Sequence, residues 1–271
     1  MQIAVLGPLS VRHHGGSIVP TAGKPRQVLA LLSLHAGRTV PKELLMEEIW
    51  GAAPPRSAAT TLQTYILQLR RHIAAVLPDD TGLSAKDVLS TSFGGYRLAV
   101  EPASHDLNAF RDLAGRGGTA MEAGDPRAAA RLLREALELW RGPALADTPH
   151  GPALQLEAIG MEEDRMQVLE QRIRADLALG RYSGLIAELR ILTARHALNE
   201  NLSAHLMTAL YHSGSPWRAL EEFRRLRDTL SRELGVEPTP RLQRLHQAVL
   251  SGDMSLAERP DATAARPLSA G

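Results

Sequence analysis

Residues able to do covalent chemistry are scarce in this chain. No cysteine is present to act as a nucleophile or thiolate ligand, and no Gly-x-Ser-x-Gly elbow occurs. Gly23-Lys24 is followed by Pro25 where a phosphate-binding loop requires Ser or Thr, and no glycine stands upstream at that loop's spacing. His13-His14 and the other histidines, 10 in all, lack metal-ligand spacing with nearby carboxylates. Solvated or core positions account for them. Glu162-Glu163-Asp164 reads as one exposed helical turn rather than a catalytic pair. The expectation is a non-enzyme with no cofactor and no metal.

One group of side chains does suit non-covalent chemistry. Thr60, Thr61, Thr64, Gln68 and Arg71 share one side of a helical pattern, with Gln63, Tyr65 and Arg70 on its flanks and almost no acid. Such a face suits a DNA major groove, where Gln bonds adenine through two contacts, Thr touches the thymine methyl and Arg reaches guanine or phosphate. Thr64 and Gln68 are expected at base edges and Arg70 and Arg71 near the backbone, with Thr60, Thr61 and Tyr65 as weaker contacts. A solvated amphipathic helix would present the same face, so this helix alone leaves both readings open.

The elements that must position this face are readable around it. Ile3, Val5, Leu9, Val11 and Ile18 alternate between Gly7-Pro8 and Gly15-Gly16, the pattern of short antiparallel strands. A first helix runs from Pro25 through Val28, Leu29, Leu31 and Leu32, with Gly37 past its end. A second starts at Pro41, places Leu44, Leu45 and Ile49 on one face and closes at Trp50-Gly51. Ser57 caps the third, whose Leu62, Ile66, Leu69 and Ile73 repeat at helical spacing. Val88 to Thr91 and Tyr96 to Val100 then flank Ser92-Phe93-Gly94-Gly95, a hairpin closed by a glycine turn. Strands, three helices and a hairpin make a winged helix, and the wing brings Arg97 to a minor groove or a phosphate. An arginine that is only a solvated strand residue is the alternative.

These residues resemble a known family. The helix from Thr61 to Arg71 with the hairpin Gly94-Gly95-Tyr96-Arg97 is similar to the winged-helix effector domain of OmpR-type response regulators. The opening Met1 to Leu9, the Lys24-Pro25-Arg26-Gln27 start of the first helix and Glu48-Ile49-Trp50-Gly51 resemble the Streptomyces antibiotic regulatory proteins. That resemblance implies an N-terminal OmpR-like domain followed by a bacterial transcriptional activation domain. It further implies copies set head to tail on short direct repeats near promoters. Recruitment of RNA polymerase holoenzyme to antibiotic or other secondary-metabolite genes would follow. Family members of OmpR type often carry Arg where Gln68 stands, which shifts the expected preference from G toward A. DNA binding does not set the sign of regulation, so activation rather than repression is implied by resemblance alone.

From Asp106 to about Leu250 amphipathic helical patterns follow one another, broken by Gly and Pro, with no strand pattern. Gly180 and Gly214 lie 34 residues apart, and Asp125-Pro126 and Ser215-Pro216 look like matched helix starts. This is the tetratricopeptide period, loosely kept, and a generic helical bundle is the competing reading. Stacked helix pairs bind proteins or peptides. The family resemblance continues through Pro149-His150, the helix from Leu154 to Leu179, and the segments from Ala219 to Arg227 and Glu233 to Pro238.

The expected fold is therefore mainly α with a small β component: a winged helix-turn-helix over residues 1–100, tetratricopeptide-like helices over 101–250 and a disordered tail over 251–271. Net charge is only +1, yet residues 1–100 carry 10 Lys and Arg against 6 Asp and Glu while residues 101–271 carry 21 against 24. The basic part is the DNA partner. No signal peptide is read in residues 1–20 and no apolar run nears the ~20 residues that span a bilayer, so a cytoplasmic, nucleoid-associated protein is expected. No receiver domain is read ahead of the winged helix, nor an ATPase domain after the helices. The rival function is a helical-repeat adaptor or ligand sensor whose winged helix makes only protein contacts; such a protein would not require the Thr/Gln/Arg face.

Overall fold

The computed structural model describes residues 1–78, 82–99 and 104–257. Strands β1 (Gln2–Ala4), β2 (Ser10–His13) and β3 (Gly16–Ser17) form an antiparallel sheet in that order. Ile3 pairs with Val11, and both are buried together with Val5, Leu6, Leu9 and Ile18. The apolar alternation in the sequence is thus the alternation of core and solvent along the strands.

Helix α1 (Gly23–Leu34) buries Val28, Leu29, Leu31 and Leu32. Strand β4 (Thr39–Pro41), helix α2 (Lys42–Trp50) and helix α3 (Ala58–Ala74) follow. Ala58, Leu62, Ile66, Leu69 and Ile73 lay one buried stripe of α3 on the core, and each large side chain so removed from water stabilises the fold by ~2 kcal/mol. A short helix α4 (Ala85–Val88) leads into strands β5 (Leu89–Ser92) and β6 (Gly95–Leu98), and the second antiparallel sheet runs β4-β6-β5. This is the expected winged helix, with two short elements added. Pro41, expected to start the second helix, ends β4 and precedes α2, while Val88, expected in a strand, closes α4.

Both glycines of the wing have a physical reason. A Cβ on Gly95 would collide with the Val40 carbonyl, because β4 and β6 approach closely there. Gly94 sits at the tip with φ of +76°, a conformation glycine adopts without steric cost.

The chain divides into two compact units, residues 1–123 with 131–169 and residues 124–130 with 170 onward. In the first, the winged helix shares a core with helix α5 (Asp106–Glu122), most of helix α6 (Pro126–Glu138) and the first part of helix α7 (Pro152–Ala178). Carboxylates that accept backbone N–H groups hold these parts together. The Asp106 carboxylate accepts the backbone N–H groups of Val5 at 2.9 Å and Leu6 at 3.1 Å. Asp147 accepts the N–H of Leu9 at 2.7 Å and pairs with Arg26 at 3.3 Å. Glu48, 2% exposed, accepts the N–H groups of Gly151, Ala153 and Leu154 at 2.6, 2.9 and 3.0 Å. A carboxylate is thereby seated on the first turn of α7, where unpaired N–H groups and the helix dipole favour a negative charge. Gly151 permits that approach, since a Cβ there would strike the Glu48 backbone. Buried His105 completes the join: Nε2 lies 3.1 Å from the Ser33 carbonyl while Nδ1 accepts the Leu107 N–H at 3.2 Å. Burial lowers its pKa below the usual value, and those two partners suit the neutral ring.

The second unit contains helices α8 (Tyr182–Arg195), α9 (Glu200–His212), α10 (Pro216–Leu234) and α11 (Pro240–Ser251), with α8 packed on α9 and α9 on α10. The matched starts read at Pro126 and Pro216 are the first residues of α6 and α10. Gly180 and Gly214 lie just past the ends of α7 and α9 with φ of +72° and +78°. The 34-residue spacing is thus a repeated helix–turn–helix. Arg172 bonds both Asp176 and Glu188, and Ser203 donates to the buried Glu222 at 3.0 Å. The segment expected as a tail begins in structure: Ser251 belongs to α11 and Met254–Ala257 form a 3-10 turn that packs on it. The rest of that tail, the boundary expected at residue 100 and Val100 of the hairpin lie outside the described residues.

Candidate nucleic-acid interface

Helix α3 turns Thr60, Gln63, Thr64, Leu67 and Arg71 outward, with Thr61, Tyr65, Gln68 and Arg70 partly exposed. At about 100° per residue, Thr60, Thr64, Leu67 and Arg71 fall within about 60° of one another, centred opposite the buried stripe. The Thr64 hydroxyl donates to the Thr60 carbonyl at 3.1 Å, so its proton is engaged within the helix and its lone pairs remain on offer. Gln68 lies to one edge of this arc. The Arg71 guanidinium is exposed and makes no hydrogen bond or ion pair among the described residues. Residues 49–78 include no Asp or Glu, so the helix supplies nothing to neutralise it.

Arg70 is placed differently. Its Nε donates to the Leu89 carbonyl and its Nη2 to Thr91 Oγ1, each at 2.9 Å. Both acceptors belong to β5, so Arg70 ties α3 to the wing and fixes the angle between them. Tyr65 stacks on Trp50 with ring centroids 6.4 Å apart, and Lys24 Nζ lies 5.6 Å from the same Trp50 ring. Tyr65 and Thr61 therefore sit at the margin of the outward face. Arg97 is exposed on β6 between buried Tyr96 and Leu98, as period-two alternation requires. The structure brings Thr60, Thr64, Gln68 and Arg71 onto one face and sets Arg97 on the attached wing.

The acid closest to the wing in sequence, Asp87, is taken up by a helix cap. It accepts the Ser84 N–H at 2.8 Å and the Ser84 hydroxyl at 2.7 Å, bonds that hold its pKa below the usual carboxylate value. Burial raises the Tyr96 phenol above its ordinary value, with the charge of Arg70 acting against the rise.

Two side chains escaped the sequence reading: Leu67, 50% exposed on α3, and Phe93, wholly exposed at the hairpin tip. Leu67 had a signal, since it falls outside the stripe of Leu62, Ile66, Leu69 and Ile73. Phe93 read only as a turn residue. Among the described residues no group of three or more His, Asp or Glu is placed to hold a metal ion, and no helix is long and apolar enough to cross a membrane.

Comparison with known proteins accords with this geometry. Residues 16–98 match the family described as transcriptional regulatory protein, C terminal, and residues 105–250 match the bacterial transcriptional activator domain. The chain is 52% identical to regulatory protein DnrI of Streptomyces peucetius over 93% of both chains. It is 38% identical to regulatory protein AfsR of Streptomyces coelicolor over 97% of its own length, but spans only 26% of that protein. The solved structure of Mycobacterium tuberculosis EmbR in complex with a low affinity phosphopeptide superposes with a TM-score of 0.85 at 33% identity, covering 93% of this chain and 65% of that one. An OmpR-type winged helix with a cationic, acid-free α3, followed by the activator helices, places this chain in the Streptomyces antibiotic regulatory protein family of DNA-binding transcriptional activators.

Proposed function

We propose that the chain binds promoters of antibiotic or other secondary-metabolite genes as copies arranged head to tail on short direct repeats, and recruits RNA polymerase holoenzyme through its helical part. Residues 1–100 form the DNA-reading module and residues 101–250 the activating one. The observation that carries this reading is the outward face of α3, where Thr60, Thr64, Gln68 and Arg71 are presented together with no acid on the helix. In the major groove, Thr64 and Gln68 meet base edges and Arg71 meets the backbone. Arg97 holds a phosphate or the minor groove from the wing, while Arg70 sets the wing's position. Thr60, Thr61 and Tyr65 make peripheral contacts. The protein acts by binding, with no chemical step of its own, in the nucleoid.

The test is binding of the purified full chain to promoter fragments from its own genomic neighbourhood, with nonspecific competitor, followed by transcription from the bound promoter with holoenzyme. Specific binding with increased transcript supports the reading. Binding with reduced transcript makes the chain a repressor, and no specific binding removes the DNA-reading role.

A further inference from the structure

Leu67 is out of character with the face it occupies. The core of α3 is complete without it, since Ala58, Leu62, Ile66, Leu69 and Ile73 are each no more than 4% exposed while Leu67 is 50% exposed. By helical periodicity it lies within about 60° of Thr60, Thr64 and Arg71, at the edge of that outward arc on the side of Thr60. A single exposed leucine on an ordinary surface requires no explanation. Here its neighbours define what it meets: hydroxyls, a side-chain amide and a guanidinium that makes no ion pair among the described residues, with no carboxylate on the helix, suit a polyanion that carries hydrogen-bonding base edges. On such a ligand the one apolar group displayed in the major groove is the C5-methyl of thymine.

We infer that Leu67 reads thymine, packing its side chain against a C5-methyl group in the major groove beside the base contacted by Gln68. The inference rests on the reading that α3 enters the major groove. Leu67 contributes no hydrogen bond and no charge, so its effect is confined to a single base position and is insensitive to salt. Removing one methyl from this contact weakens binding about fourfold, the value for one methyl group returned to water.

The experiment selects the duplex bound best by the full chain from a randomised pool, then resynthesises it with deoxyuridine in place of thymine, one position at a time. The substitution removes only the methyl group. The wild-type chain is expected to lose about fourfold in affinity at one position. Leu67→Ala is expected to bind the thymine and deoxyuridine duplexes equally at that position, with unchanged ratios elsewhere. Because Leu67 is half exposed and alanine is the better helix former, the variant is expected to melt like the wild type. Equal binding of every deoxyuridine duplex by the wild type would overturn the inference and leave DNA reading intact, as would a thymine preference undiminished in Leu67→Ala. Failure to enrich any duplex from the pool would overturn the DNA-reading function itself, and the inference with it.

Discussion

The winged helix uses charge in opposite ways on two of its surfaces. On the outward face of α3 acids are excluded, and among the described residues the exposed Arg71 guanidinium makes no ion pair. Where the same module meets residues 105–169, Glu48, Asp106 and Asp147 each bind backbone N–H groups, and Glu48 is almost wholly buried. The difference follows from solvation. An exposed guanidinium keeps its hydration and waits for a partner at little cost, whereas a buried carboxylate must be fully hydrogen-bonded or protonated. One surface is therefore built for a ligand that comes and goes, and the other for permanent attachment of the DNA-reading module to the first activator helices.

The largest effect is expected where that attachment is cut. Glu48→Ala orphans three N–H groups at the start of α7, and its loss should destabilise the chain by about 4 kcal/mol, measured by urea unfolding. A loss below about 1 kcal/mol would mean that Glu48 does not hold the two parts together.

In the second unit His205 is a buried cation-former. Burial, with Arg174 and Arg241 nearby, lowers its pKa from 6.5 to about 4. The unfolded chain thus binds the proton more readily, so stability is full above about pH 6.5 and falls on acidification by about 3 kcal/mol at pH 4. His205→Gln should lack this part of the acid loss, read as the difference between the two unfolding curves across that window. Parallel curves would place His205 in a more polar site than its burial indicates.

Returning to the reading face, Gln68→Ala should lessen discrimination at one base pair by ~1–3 kcal/mol, seen as a relaxed preference for A in duplex selection. An unchanged preference would move base reading to other side chains. The smallest effect is expected from Phe93→Ser. This ring is wholly exposed among the described residues, so stability should change by less than ~0.5 kcal/mol, and a larger fall in Tm would show that the wing tip is packed.

Much of this organisation was legible in the sequence. The stripe of Leu62, Ile66, Leu69 and Ile73 identified α3, and its period fixed which residues face outward. Gly94-Gly95 located the wing, and Pro126 and Pro216 the matched helix starts. Strand β4 was not legible, because Thr39–Pro41 is too short to show a period and gains its hydrogen bonds from β6, more than 50 residues later in the chain. Nor was the task of Arg70, whose acceptors on β5 come within reach only when the hairpin folds against α3. Glu48 stood in a recognisable Glu-Ile-Trp-Gly segment, yet its partners lie over 100 residues away. Local period reveals faces, while long-range clamps depend on tertiary folding.

In this account α3 meets DNA through its exposed, acid-free face. The most direct test is the dependence of binding on salt for the full chain and Arg71→Ala on one selected duplex. Loss of a phosphate contact should lower the slope of log K against log salt by about 0.9 and weaken binding to all sequences alike. An identical slope in the two proteins would contradict the account, because it would show that the exposed guanidinium at the centre of the face never reaches the DNA backbone.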